Sequence, residues 1–147
     1  RNIIKKRKIN IKNNSFLKNE LIKPTKIYVK EVLNLIDKKL LNGCANITGG
    51  GLSDNVKRII PERYCAEINL EKIKTSKIFK WLHKNGISDK EMLKTFNCGV
   101  CFCLIINPKK LNNINRYFTN NFKPYVIGKI TKNFKDKVKL NGSVNWK

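Results

Sequence analysis

Three consecutive glycines, Gly49-Gly50-Gly51, set the tightest limit on how this chain folds. A short apolar run from Cys44 to Thr48 enters them, and Leu52 to Ile60 leaves them with the pattern of a short helix stopped by Pro61. Glycines between a strand and a helix admit positive φ and let a ligand approach the main chain without hindrance from Cβ. The amides at the helix start then point outward, at the positive end of the helix dipole. Such a turn suits an anion or a phosphate-bearing substrate, and a plain tight turn has the same composition.

The segments around this turn alternate between helix and strand patterns. Arg1 to about Lys23 is polar and basic, with a short helix ending near Ile9 and no longer period, and reads as a connecting segment. Pro24 turns the preceding residue away from helix, and Val29, Val32, Leu33, Ile36 and Leu40 then recur at helical spacing before Gly43. Tyr64 to Ile68 has strand character. Ser76 is placed to cap a helix through Leu82, closed by Gly86, and Ser88 to Glu91 has capping-box spacing for another. Thr95 to Gly99 is a turn into the apolar strand Val100 to Ile106. Pro108 opens a helix with Leu111, Ile114 and Phe118 inward, Tyr125 to Ile130 forms a further strand, and Val138 to Leu140 pairs at an edge. The expected fold class is α/β (α+β), with a mixed β-sheet covered by helices.

Charge narrows the function without deciding it. The chain of 147 residues has the size of one domain and carries a formal charge of +22, which ordinarily suggests nucleic acid or an anionic surface. Twenty-seven of its basic residues are Lys and only five are Arg, spread along the whole chain except for the run Lys5, Lys6, Arg7 and Lys8. Phosphate-gripping surfaces usually add Arg for its bidentate fork, so a nucleic-acid-binding module is the second reading rather than the first. No apolar run approaches the roughly 20 residues that span a bilayer as a helix. Five cysteines, an odd number, fit a reducing compartment, and the cytoplasm is the expected location. Cys98, Cys101 and Cys103 lack the further ligands of a zinc site, and His83 has no partner spacing, so no metal centre is expected.

Three motifs in fixed order give a sharper reading. They are Pro24-Thr25-Lys26-Ile27-Tyr28-Val29, then Ile47-Thr48-Gly49-Gly50-Gly51-Leu52 with Asp54, Asn55 and Arg58, then Glu91-Met92 through Thr95-Phe96-Asn97-Cys98-Gly99-Val100. With Ile127-Gly128, they make the stretch from about Leu21 to Ile130 resemble the C-terminal domain of the aminoimidazole ribonucleotide synthetase family. The resemblance implies ATP-dependent ring closure of formylglycinamidine ribonucleotide to aminoimidazole ribonucleotide in purine biosynthesis. It further implies that ATP and Mg2+ sit mainly on an N-terminal domain absent from this sequence. Residues 1–22 would then connect to that domain, 23–147 would be the C-terminal domain, and a homodimer would form through the missing part. The chain is expected to be a piece of a longer protein, inactive alone.

The residues and the resemblance agree on the substrate-binding turn of Thr48, Gly49, Gly50 and Gly51 with Asn46 and Asn55 beside it, and the resemblance implies that Asn97 and Gly99 form another part of the same wall. No catalytic residue is assigned, because the Cys98 thiol has no base near it in sequence. Two departures from the family pattern stand out. Asn46 replaces the usual His, exchanging a group able to move a proton near neutral pH for one that only orients. Cys101 replaces the last glycine of GVG and adds a side chain there. Another ATP-dependent member of the same superfamily is the nearest alternative.

Overall fold

The computed structural model describes residues 2–119, 122–133 and 135–147. Two short helices, α1 (Asn2–Lys6) and α2 (Ser15–Leu21), flank a 3-10 turn at Ile11–Asn13. The connecting segment thus holds the short helix expected before Ile9 and a second one, α2, that its pattern did not show. Asn14 starts α2 by accepting the Leu17 amide at 2.9 Å, and Leu17 is completely buried.

Helix α3 (Val29–Asp37) forms where the apolar period predicts it but buries a different stripe. Val32 and Leu35 are the buried pair, each worth about 1.5–3 kcal/mol when fully removed from water, whereas Val29, Leu33 and Ile36 stay exposed. Periodicity shows that a helix has an apolar side. It does not say how much of that side the rest of the chain covers.

The strands form two sheets rather than one. Strand β1 (Gly43–Asn46) pairs antiparallel with β3 (Phe102–Ile105) in a two-stranded ribbon. Strand β2 (Tyr64–Asn69) lies between β4 (Gly128–Lys132), antiparallel to it, and β5 (Val138–Asn141), parallel to it. The three-stranded sheet is therefore the mixed one, with β5 at an edge as expected, and the α+β class holds. The ribbon and the mixed sheet share one core, in which Ala45 and Ile47 meet Leu52, Val56, Ala66 and Ile68.

Helix α4 (Gly51–Lys57) leaves the glycine turn, and α5 (Lys77–Lys84) and α6 (Asp89–Thr95) follow β2. Ser76 occupies the position before α5, but its side chain makes no capping bond. Only half of the capping box forms at α6: Ser88 Oγ accepts the Glu91 amide at 3.4 Å, while the Glu91 carboxylate accepts the Thr95 hydroxyl. His83 on α5 stacks on Trp146 at 4.8 Å; the Trp146 indole N–H donates to Asp89 Oδ1 at 3.1 Å, and His83 Nε2 is hydrogen-bonded to the same oxygen at 2.6 Å. This clasp ties the end of the described chain to α5 and α6. The Pro108 segment opens as a 3-10 turn, followed by α7 (Leu111–Ile114) with Ile114 buried. No helix among the described residues is long and apolar enough to cross a membrane.

Candidate functional site

The two motif turns meet at one end of the β1–β3 ribbon. Strand β1 runs out at Asn46, opposite Phe102 on β3, and the Ile47 amide donates to the Cys101 carbonyl at 2.9 Å. The glycine turn therefore departs where the Asn97–Gly99 turn arrives. Directly opposed residues of an antiparallel pair point to the same face. Ala45 and Cys103 face the core, so Asn46 and Phe102 share the outer face.

Within the glycine turn the three glycines have different surroundings. Gly49 is exposed, and a Cβ added there would meet nothing within 4 Å. Gly51 is buried with φ of 65°, and an added Cβ would lie 2.0 Å from the Leu93 carbonyl oxygen on α6. Its side chain is excluded by helix packing, not by a ligand. The Gly51 amide already donates to the Thr48 carbonyl at 3.2 Å, which leaves those of Gly49 and Gly50 as the ones the turn can offer to a ligand.

Asn55 is the buried polar residue that shapes this turn. From α4 its Nδ2 donates to the Gly51 carbonyl at 2.7 Å, the Gly49 carbonyl at 3.2 Å and the Thr48 carbonyl at 3.4 Å. With 5% exposure and its amide nitrogen turned into the loop, Asn55 acts on a ligand through the turn it braces. Asn46 and Thr48 are exposed beside it. At the far end of α4, Lys57 and Arg58 line an open depression with Asp54 and Lys137.

The second turn is held by its own residues. The Gly99 amide donates to Asn97 Oδ1 at 3.1 Å, and Asn97 Nδ2 reaches Cys101 Sγ at 3.9 Å. Gly99 has φ of 101°, with a hypothetical Cβ 2.8 Å from the Lys74 carbonyl oxygen. Cys98 is buried and its thiol donates to the Met92 carbonyl at 3.4 Å. Burial, with the Asp89 carboxylate adding to it, pushes that thiol up to about 11. Burial alone pushes Cys103 up to about 12. Both are protonated at neutral pH and make poor nucleophiles.

The first motif reaches the same place through Tyr28, to which the sequence reading gives no role. Its ring lies 5.7 Å from Phe102 and 5.5 Å, edge-on, from Phe122. Burial raises its hydroxyl above the usual tyrosine range, and the hydrogen-bonded Cys101 thiol raises it further. The signal was in Pro24 to Val29 itself, the first of the three motifs that carry the resemblance. Among the described residues no group of three or more His, Cys, Asp or Glu side chains could hold a metal ion.

Residues 2–141 match the family model described as AIR synthase related protein, C-terminal domain. The chain is 45% identical over 114 residues to the phosphoribosylformylglycinamidine cyclo-ligase of Carboxydothermus hydrogenoformans, an alignment covering 76% of this chain and 33% of that protein. It is 42% identical over 123 residues to the protein of the same name from Streptococcus agalactiae serotype V, covering 83% of this chain and 36% of the relative. The relative of that name in Neisseria gonorrhoeae is 35% identical over 108 residues, 73% of this chain and 31% of the relative. The chain thus spans about a third of the length of the curated relatives it matches. With its three motifs gathered at one end of a β-ribbon, the chain belongs to the AIR synthase related family as a C-terminal domain.

Proposed function

We propose that this chain is the substrate-holding part of a phosphoribosylformylglycinamidine cyclo-ligase, working with an ATP-binding domain outside these 147 residues. The observation that carries the reading is the convergence of Tyr28, the 48–51 turn and the 97–99 turn on one end of the β1–β3 ribbon. The Gly49 and Gly50 amides would receive an anionic group of formylglycinamidine ribonucleotide, while Asn46 and Asn97 would orient it by directed hydrogen bonds. Helix α4 has only seven residues, so its dipole adds little to what those amides supply.

The groups gathered here bind and orient; none of those assigned to the site is an ionised base or nucleophile. Amides replace an imidazole at Asn46, and the Cys98 and Cys103 thiols and the Tyr28 hydroxyl all hold their protons. Activation of the substrate by ATP with Mg2+ is chemistry for the other domain, which is also the expected site of homodimerisation. A cytoplasmic location accords with a purine-biosynthetic role. The assay is turnover of formylglycinamidine ribonucleotide with ATP, using the chain alone and then with the N-terminal two-thirds of the Carboxydothermus hydrogenoformans relative. Turnover is expected only in the mixture. Turnover by the chain alone overturns this division of labour, and failure of the chain to bind the ribonucleotide in calorimetry overturns the substrate role.

A further inference from the structure

Three aromatic side chains stand apart from the core, at the face of the ribbon that carries the site. Among the described residues, the core shared by the two sheets takes in Cys103 and Ile105 from β3 but none of Tyr28, Phe102 and Phe122. Phe102 lies directly opposite Asn46, the last residue of β1, and such pairs bring their Cβ atoms within about 4.5–5.5 Å of each other. The Tyr28 ring packs on Phe102 at 5.7 Å and on Phe122 at 5.5 Å, and its hydroxyl is hydrogen-bonded to Cys101, the residue before Phe102. All three residues are half-buried: their neighbours fix them and leave part of each accessible. The Lys26 ammonium lies 5.5 Å from the Phe122 centroid, which puts a positive charge at the rim of the patch.

We propose that Phe102, held in place by Tyr28 and Phe122, is the surface on which the five-membered ring of aminoimidazole ribonucleotide stacks. This rests on the reading that the glycine turn holds formylglycinamidine ribonucleotide, and it adds which part of the molecule the ribbon face receives. A ribonucleotide has an anionic end and, once its ring is closed, a flat aromatic end, and the site offers a counterpart to each. From Asn46, beside Phe102, the chain reaches Gly49 in three residues, at most about 10 Å. An anion on the Gly49 and Gly50 amides therefore leaves the sugar and the ring within reach of Phe102. The acyclic substrate becomes an aromatic ring as it closes, and contacts between two π-systems add to what the buried apolar area alone supplies. Stacking on Phe102 thus strengthens along the reaction, which is the condition under which binding energy favours closure rather than capture.

The test titrates the 147-residue chain calorimetrically with aminoimidazole ribonucleotide, formylglycinamidine ribonucleotide and ribose 5-phosphate, which keeps the anion and has no ring to stack. The imidazole compound is expected to bind about tenfold more tightly than ribose 5-phosphate, with its ring C–H protons shifted upfield in NMR spectra by the aromatic face beneath them. Phe102→Leu should abolish that shift and weaken the imidazole compound about tenfold, formylglycinamidine ribonucleotide about threefold at most, and ribose 5-phosphate not at all. Circular dichroism and the melting midpoint should stay unchanged, and Phe102→Tyr, which keeps the ring, should retain wild-type affinity. Equal weakening of all three ligands by Phe102→Leu, or an imidazole compound held no better than ribose 5-phosphate, overturns the proposal and leaves the anion-binding turn standing. The upfield shift in the unsubstituted chain needs no variant, so its absence overturns the proposal even where Phe102→Leu fails to fold. Binding of none of the three ligands overturns both readings. Ring-dependent binding through Phe102, without turnover when the N-terminal two-thirds of the Carboxydothermus hydrogenoformans relative is added, supports the stacking surface and sinks the cyclo-ligase reading.

Discussion

The turn at 48–51 is held from another element, whereas the turn at 97–99 is held from within. Asn55 reaches back from α4 to gather three carbonyls of the first turn, and Gly51 lies against the α6 backbone. Asn97 closes the second turn on the amide two residues ahead, with the buried Cys98 beneath it at φ of 51°. The same residue types thus serve a brace in one place and a local loop in the other. A glycine or asparagine in a motif identifies a position that resists change; only its neighbours tell whether the resistance comes from a ligand or from packing.

Substitutions can break this comparison, starting where it is most constrained. Gly51→Ala must resolve a 2.0 Å overlap with the Leu93 carbonyl at a positive φ, and should cost about 3–5 kcal/mol in denaturant unfolding. A loss under about 1 kcal/mol would mean that α4 and α6 part easily. Gly99→Ala faces a milder 2.8 Å approach and should cost about 2–3 kcal/mol, read the same way. Asn55→Ala removes the shared donor and should cost about 1–3 kcal/mol. It should also loosen the first turn, visible as faster amide exchange at Gly49 and Gly50 with Gly99 unchanged.

The alkaline limb reports on the buried thiols. Cys103 and Cys98 are raised from 9.0 to about 12 and about 11, so the folded state favours their protonated forms. Their contribution is complete below pH 9 and disappears as pH climbs through 11 and 12. Denaturant midpoints taken between pH 8 and pH 11 should fall, and the fall should be shallower in Cys103→Ala. The least effect on folding belongs to Gly49→Ala, with open space around its Cβ, at under about 0.5 kcal/mol. If the Gly49 amide receives the substrate, this substitution should nonetheless weaken ribonucleotide binding in calorimetry.

Much of this was legible in the residues because it is local. Tyr64 to Ile68 reads as a strand by its pattern, Ser88 as a helix start by its spacing, and the glycine turn by composition alone. What stayed hidden depends on distant partners. The α3 pattern could not reveal that Leu35 rather than Leu33 is covered, since coverage is set by the elements packed beside the helix. Val100 to Ile106 looks like a strand inside a larger sheet, yet the strand that forms, Phe102–Ile105, has one strand beside it among the described residues. Asn55 reads as a ligand beside glycines, and only its three carbonyl contacts assign it to bracing.

The zero-clearance contact between Gly51 and Leu93 has a practical corollary for engineering. Phe96 to Gly99 follows α6 directly, so the 48–51 turn, packed on Leu93, and the 97–99 turn are both anchored to that one helix. A chimera that transplants either motif without the other inherits a mismatched joint, and grafts between relatives should therefore exchange residues 46–58 and 89–101 as a set.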